Sequence, residues 1–233
     1  MPDTPPPDGP PDIGPPDIGQ PDTAARAGKS SLRASLRAAR REAHAAFTAL
    51  PAVTRQRITG DMATRLLAHL PAAPTIIASY RAVASELDPA PIEAVLRDHG
   101  HSIALPRITR PDQALAFHRL DDPARLIPGP HDIAEPDPSL PVVRPAVLLV
   151  PLVGADTAGH RLGQGGGYYD RTLASLRATG PVLALGLAYD AQITPIPAEP
   201  HDQPLDAVLT PTCWIGCRPD TARPDNEDNT LDR

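Results

Sequence analysis

Lysine is almost missing from this chain: of 22 basic residues Lys29 is the one lysine, and the other 21 are arginine. In a sequence that otherwise writes arginine, one retained ammonium suits a phosphate site that uses a compact point charge. Aromatics are also scarce at 3%, with four Tyr, two Phe and one Trp, yet Tyr168 and Tyr169 stand side by side. Cysteine is limited to Cys213 and Cys217, spaced C-x3-C. Two thiols with no clear His or Cys partners are too few for zinc, so both are read as packed thiols. No apolar run approaches the roughly 20 residues of a membrane helix, and the N-terminus lacks the basic and apolar regions of a signal peptide. The expectation is a cytoplasmic protein with no membrane contact. The formal charge of −6 and a pI near 5.7 make the average surface unattractive to nucleic acid, so no nucleic-acid partner is expected and any anion site is local.

Proline, by contrast, is abundant: there are 32, well above the usual share of roughly 5%. Many lie in the opening repeat Gly9-Pro-Pro-Asp-Ile13, Gly14-Pro-Pro-Asp-Ile18 and the degenerate Gly19-Gln-Pro-Asp-Thr23. Such composition cannot build a core, so residues 1–25 are expected to be a disordered tail of polyproline II character. The polar, charged stretch 218–233 is read the same way. Residues 26–217 remain as a single catalytic domain of ordinary size.

Within that body, Ala25 to Phe47 is rich in Ala, Leu and Arg and predicts a long helix, with Ser30 or Ser31 as a possible cap. Lys29, Arg33, Arg37 and Arg41 recur every four residues along it. Lys29 and Arg33 at the helix start are placed to meet an anion, whereas Arg37 and Arg41 are read as a solvated stripe. A second helix is expected from Ala52 to Leu70, burying Ile58, Met62, Leu66 and Leu67. The period then changes. Strands are expected at 75–80, 102–105, 114–118, 146–150, 182–187 and 207–209, with helices at 91–97 and 168–179. Apolar strands alternating with helices imply an α/β fold: three layers, α/β/α, with a mostly parallel Rossmann-like sheet covered by helices on both faces. Ligands of such sheets gather at the carboxyl ends of the strands. Glu86, Asp156, the glycine-rich loop and Tyr189-Asp190 all follow strands and face that crevice.

The densest segment is Arg161-Leu-Gly-Gln-Gly-Gly-Gly-Tyr-Tyr-Asp170. Its glycines 163, 165, 166 and 167 tolerate positive φ and allow backbone N–H groups close to an anion. A guanidinium at one end, a carboxylate at the other and two tyrosines in between suit a nucleotide phosphate site.

These residues, with others in the same order, resemble the 5-formyltetrahydrofolate cyclo-ligase (5,10-methenyltetrahydrofolate synthetase) family. The likeness runs through Lys29-x-x-Leu32-Arg33, Tyr80 with Glu86, Leu105-Pro106-Arg107, Gly129 through Ile133-Ala-Glu135-Pro136, Val150-Pro151, Asp156, Gly159, the loop 161–171, and His201-Asp202 with Asp206. It covers about residues 29 to 210. The resemblance implies ATP-dependent closure of 5-formyltetrahydrofolate to 5,10-methenyltetrahydrofolate, through phosphorylation of the formyl oxygen and release of ADP and phosphate. It further implies Lys29 and Arg161 as catalytic cations on the ATP phosphates, with Arg33, Gly163, Gly165, Gly166, Gly167 and Tyr169 in the ATP site. Arg33, Tyr80, Glu86, Tyr168 and Tyr169 would contact the folate, and Asp170 and Asp206 would hold Mg2+. A monomer is expected. The chain departs from the family pattern at Arg81, Asp132 and Ala155, positions that bear on substrate affinity more than on reaction type. Two rival readings stay open on the sequence: a related enzyme acting on a phosphorylated sugar or CoA ester, and a non-catalytic folate or nucleotide sensor.

Overall fold

The computed structural model describes residues 23–217, so the readings of residues 1–22 and 218–233 as tails lie outside the described residues. Helix α1 (Thr23–Ala49) is 27 residues long, about 40 Å at 1.5 Å per residue. It stops short of Pro51, which disfavours helical backbone in the residue before it. Helix α2 (Ala52–Leu67) follows at once and buries Met62, Ala63 and Leu66. It ends three residues before the expected Leu70 because His69 and Leu70 donate to Leu66 and Leu67 in a closing turn ahead of Pro71.

The core is an eight-stranded sheet. In chain order its strands are β1 (Ile76–Ala78), β2 (Ser102–Arg107), β3 (Ala116–Arg119), β6 (Val142–Val143), β7 (Val147–Pro151), β10 (Leu183–Leu187), β11 (Ala207–Leu209) and β12 (Trp214–Gly216); β4, β5, β8 and β9 are the four hairpin strands described below. Across the sheet they run β12-β11-β10-β7-β1-β2-β3-β6. The five central strands are parallel, while β12, β3 and β6 pair antiparallel at the edges. Helix α3 (Ala90–Asp98) connects β1 to β2, and α4 (Tyr168–Thr179) lies between β7 and β10.

Two apolar clusters give the three layers. Met62, Leu66, Ile92 and Leu96 of α2 and α3 pack with Ile77, Leu149, Leu185 and Leu209 on one face. Leu173 and the half-buried Leu176 of α4 pack with Ala78, Leu148, Val150 and Val208 on the other. Ile58 and Leu67, expected in the α2 core, are only partly buried against the first cluster. A third, smaller cluster seats α1: Leu36 packs on Val153, Leu162 and Ile196. Two hairpins complete the body, β4 (Leu126–Pro128) with β5 (Ala134–Pro136) and β8 (Gly154–Ala155) with β9 (Arg161–Leu162). No helix among the described residues is long and apolar enough to cross a membrane.

Candidate active site

The order of the parallel strands sets the crevice. From β1 the chain moves outward to β2, and from β7 it moves the opposite way through β10 to β11. The connections therefore diverge between β1 and β7, the switch point where α/β sheets bind ligands. Most residues proposed from sequence sit on segments that leave the carboxyl ends of these strands or on α1; Asp206 does not, since it enters β11 level with Ala184, at the amino end of β10.

On one side of the crevice the cations collect. The β8–β9 hairpin ends on buried Arg161, whose guanidinium donates to the Gln203 carbonyl and, at 2.6 Å, to Asp170 Oδ1. Arg33 Nε donates to the Gly163 carbonyl at 3.1 Å, which ties α1 to the glycine loop; because the helix begins at Thr23, Lys29 and Arg33 lie within it rather than at the expected start, and Ser30 and Ser31 do not cap it. Lys29 is buried and paired with Glu199 at 3.0 Å and Asp202 at 3.3 Å. Arg37 is not the solvated residue expected: its guanidinium bonds Gln164 Oε1 at 2.6 and 3.2 Å, while Arg41 is exposed as read. Of the four loop glycines, only Gly165 (φ 105°) and Gly167 (φ 65°) adopt positive φ. Among the described residues, the amides of Gly165, Gly166 and Gly167 donate to no protein acceptor, and Gly167 stands at the N-cap of α4. Free N–H groups at a helix N-terminus with cations nearby are what an anion site requires; Lys29 and Arg161 are already paired with carboxylates.

On the other side lie an acid and tyrosines. Glu86 is buried after β1; Oε2 accepts from the Val83 amide at 3.1 Å and Oε1 from Arg40 at 3.3 Å. Tyr80 is also buried, with its hydroxyl committed to the Leu87 carbonyl at 2.5 Å. Burial above all, then the nearby Glu86 carboxylate, drives its hydroxyl pKa well above the ordinary 10.0. Tyr169 is half-buried in the first turn of α4. Burial pushes its hydroxyl up, Glu86 adds to the rise and Arg161 opposes it, so its phenol stands within the field of both groups. Tyr168 is half-buried, with the Arg171 guanidinium 5.1 Å from its ring centroid.

Asp170 and Asp206 border one segment, 203–206. Gln203 donates its amide to Asp170 Oδ1 at 3.0 Å, and Arg177 bridges the Gln203 side chain at 3.3 Å to Asp206 Oδ2 at 3.2 Å. Ala184 also donates to Asp206 Oδ2, at 2.7 Å. No described residue donates to Asp170 Oδ2 or Asp206 Oδ1, so each carboxylate keeps a hard oxygen for a cation. Mg2+ retains most of its waters and needs one or two such oxygens; Asp170, in the first turn of α4 beside Arg161, offers one at the crevice, whereas Asp206 pairs with Arg177 in the last turn of that helix and is not brought to it. A separate group, Glu199, His201 and Asp202, brings ligand atoms within 4.8 Å of one another. Lys29 already pairs with both of its carboxylates and offsets one of their two charges.

The three departures have local explanations. Arg81 turns away to Glu93 on α3 at 2.7 Å. Asp132 adopts φ 58°, a left-handed conformation in which a small residue is less strained. Ala155 is wholly buried beside Ile193. Sequence reasoning missed Arg40, the buried guanidinium that bridges the loops after β1 and β7. Spacing by fours selects Arg41, whereas burial on a helix of 3.6 residues per turn selects Arg40 eleven residues after Lys29.

Comparison with known proteins bears on the family and the fold. A model of the "5-formyltetrahydrofolate cyclo-ligase family" matches residues 25–211. The 5-formyltetrahydrofolate cyclo-ligase of Escherichia coli K12 is 35% identical over 174 residues, covering 70% of this chain and 93% of that protein. The NMR structure of Aquifex aeolicus 5,10-methenyltetrahydrofolate synthetase superposes with a TM-score of 0.64 at 25% identity, covering 87% of this chain and 99% of that one. The Mycoplasma pneumoniae 5,10-methenyltetrahydrofolate synthetase shares the fold, with a TM-score of 0.53 at 23% identity over 75% of this chain and 97% of that one.

Proposed function

The chain belongs to the 5-formyltetrahydrofolate cyclo-ligase family, and from that premise we propose that it closes 5-formyltetrahydrofolate to 5,10-methenyltetrahydrofolate, with ATP converted to ADP and phosphate. The observation that carries this reading is that α1 joins both halves, since Arg33 bonds the glycine loop at Gly163 and Arg40 bonds Glu86. A phosphate half and a folate half then share one wall, as a direct transfer between two bound substrates requires.

In this reading Lys29, Arg33, Arg161 and the free amides of the glycine loop hold the ATP phosphates. Glu86 accepts hydrogen bonds from pterin N–H groups, and Tyr168 and Tyr169 offer ring faces to the pterin; Tyr80, with its own hydroxyl committed, contributes shape. The formyl oxygen attacks the γ-phosphorus as the bond to ADP breaks, giving an iminium phosphate. N10 adds to the formyl carbon with loss of its proton, and phosphate leaves as the methenyl bridge forms. Transfer of this kind depends on alignment and on neutralising charge that develops on the phosphoryl oxygens. Asp170 would hold Mg2+, which neutralises phosphate charge when bound.

The test is direct. Purified protein is incubated with 5-formyltetrahydrofolate, ATP and Mg2+, and the ultraviolet absorbance of the methenyl product is followed. Product that depends on ATP is expected; none across a range of pH would sink the reading.

A further inference from the structure

We propose that Arg40 is a positioning residue that fixes the Glu86 carboxylate, and with it the folate half of the site, against the ATP half. This rests on Glu86 being a folate contact, as set out above.

Arg40 is 5% exposed, and a guanidinium that deep is retained only where acceptors meet its fork. Three do. Nε donates to Ser85 Oγ at 3.2 Å, and Nη1 to Glu86 Oε1 and to the Leu152 carbonyl, both at 3.3 Å. Ser85 and Glu86 follow β1, and Leu152 follows β7, so one side chain spans the switch point of the sheet. The backbone around Glu86 is held in an uncommon shape. Ala84 adopts φ 53°, and the Glu86 amide donates to the Val83 carbonyl while its carboxylate accepts from the Val83 amide. A non-glycine residue in the left-handed region persists only where its surroundings over-determine it. Arg40 supplies the constraint from the other side, since it orients the one Glu86 oxygen that the turn leaves free.

The same helix carries the ATP cations. Lys29 and Arg40 are eleven residues apart on α1, about 16 Å along its axis, and Leu36 between them anchors the helix to Val153 and Leu162. Helix α1 therefore sets the separation between the phosphate contacts and the folate carboxylate. A shift of about 1 Å in such spacing costs on the order of 100-fold in rate.

Steady-state kinetics on the full chain test this. Arg40→Met is expected to raise KM for 5-formyltetrahydrofolate by about 10-fold to 100-fold while KM for ATP stays within about 2-fold. Arg40→Lys keeps the charge but not the fork, and should recover part of that loss. In a Glu86→Gln background, Arg40→Met should add less than about 3-fold, because its partner is gone. A purely structural role would lower the active fraction, and so kcat, with both KM values unmoved. A folded Arg40→Met protein with an unchanged folate KM, in company with a Glu86→Gln protein whose folate KM rises, overturns the proposal alone. An unchanged folate KM in Glu86→Gln removes the premise as well. If Arg40→Met does not fold, Arg40→Lys decides: a rise confined to folate KM supports the proposal, and equal changes for both substrates or none overturn it.

Discussion

Lys29 meets ATP from within an existing pair of ion bridges. Its ammonium contacts Glu199 and Asp202, and the Glu199 side chain is 36% exposed, so the nucleotide phosphates have to compete with carboxylates for the cation. Partly solvated pairs of this kind contribute roughly 0.2–1 kcal/mol. Glu199→Gln should accordingly lower KM for ATP by about 2-fold to 5-fold, read from ATP titrations at saturating folate. Asp202 is a poorer choice for this test, since it also accepts from the Glu199 amide at 2.8 Å and shapes the loop. Removing the cation itself acts in the opposite direction. Lys29→Ala should slow turnover by about 100-fold to 1,000-fold, the range for losing a preorganised group at a developing charge. A Lys29→Ala enzyme with near-normal kcat would refute its place on the phosphates.

Among the elements, the glycine loop between β9 and α4 carries the sharpest expectation. Gly163 and Gly165 both face open space where a side chain would go, but only Gly165 has φ in the left-handed range, at +105°. A Cβ there costs about 1–2 kcal/mol. Gly165→Ala should weaken nucleotide binding by about 5-fold to 30-fold in calorimetric titration, whereas Gly163→Ala should change it by less than about 2-fold. Equal effects would show that loop conformation is not what the glycines supply. The loop itself was legible in the sequence because its residues are contiguous and chemically unusual. The long helices and central strands were legible as well, since each spans enough residues for a period to emerge. Hairpins β4–β5 and β8–β9 were not: strands of two or three residues carry no period, and their pairing comes from tertiary contact. Arg40 was hidden for a related reason. A spacing of four tracks a helix face for two turns and then drifts off it, so the reading that grouped Lys29 with Arg33 passed over the buried arginine to its exposed neighbour.

At the scale of the whole molecule, buried groups predict how stability responds to alkali: the Tyr80 and Tyr169 hydroxyls already described, and with them Cys217 and Tyr189. Burial raises the Cys217 thiol from 9.0 to about 11, with Asp156 and then Asp206 adding to the rise. Burial likewise raises the Tyr189 hydroxyl from 10.0 to about 12, helped by Asp88 and opposed by Arg40. Both groups are neutral in the folded chain at a pH where the unfolded chain would release their protons. A raised pKa in the folded state means that the associated stability is complete below the unfolded value and is lost as pH rises toward the folded one. The two windows are therefore about pH 9 to 11 for Cys217 and about pH 10 to 12 for Tyr189. Urea midpoints should be level below about pH 8.5 and then fall, each group adding up to about 1.4 kcal/mol per pH unit inside its window. Cys217→Ala separates the two contributions. That variant starts less stable because it loses a buried side chain, yet its midpoint should stay flat from pH 9 to nearly 10, where the parent already declines. Parallel curves for parent and variant over that interval would mean that the thiol does not titrate differently on unfolding, and that the alkaline limit of this fold lies with its tyrosines alone.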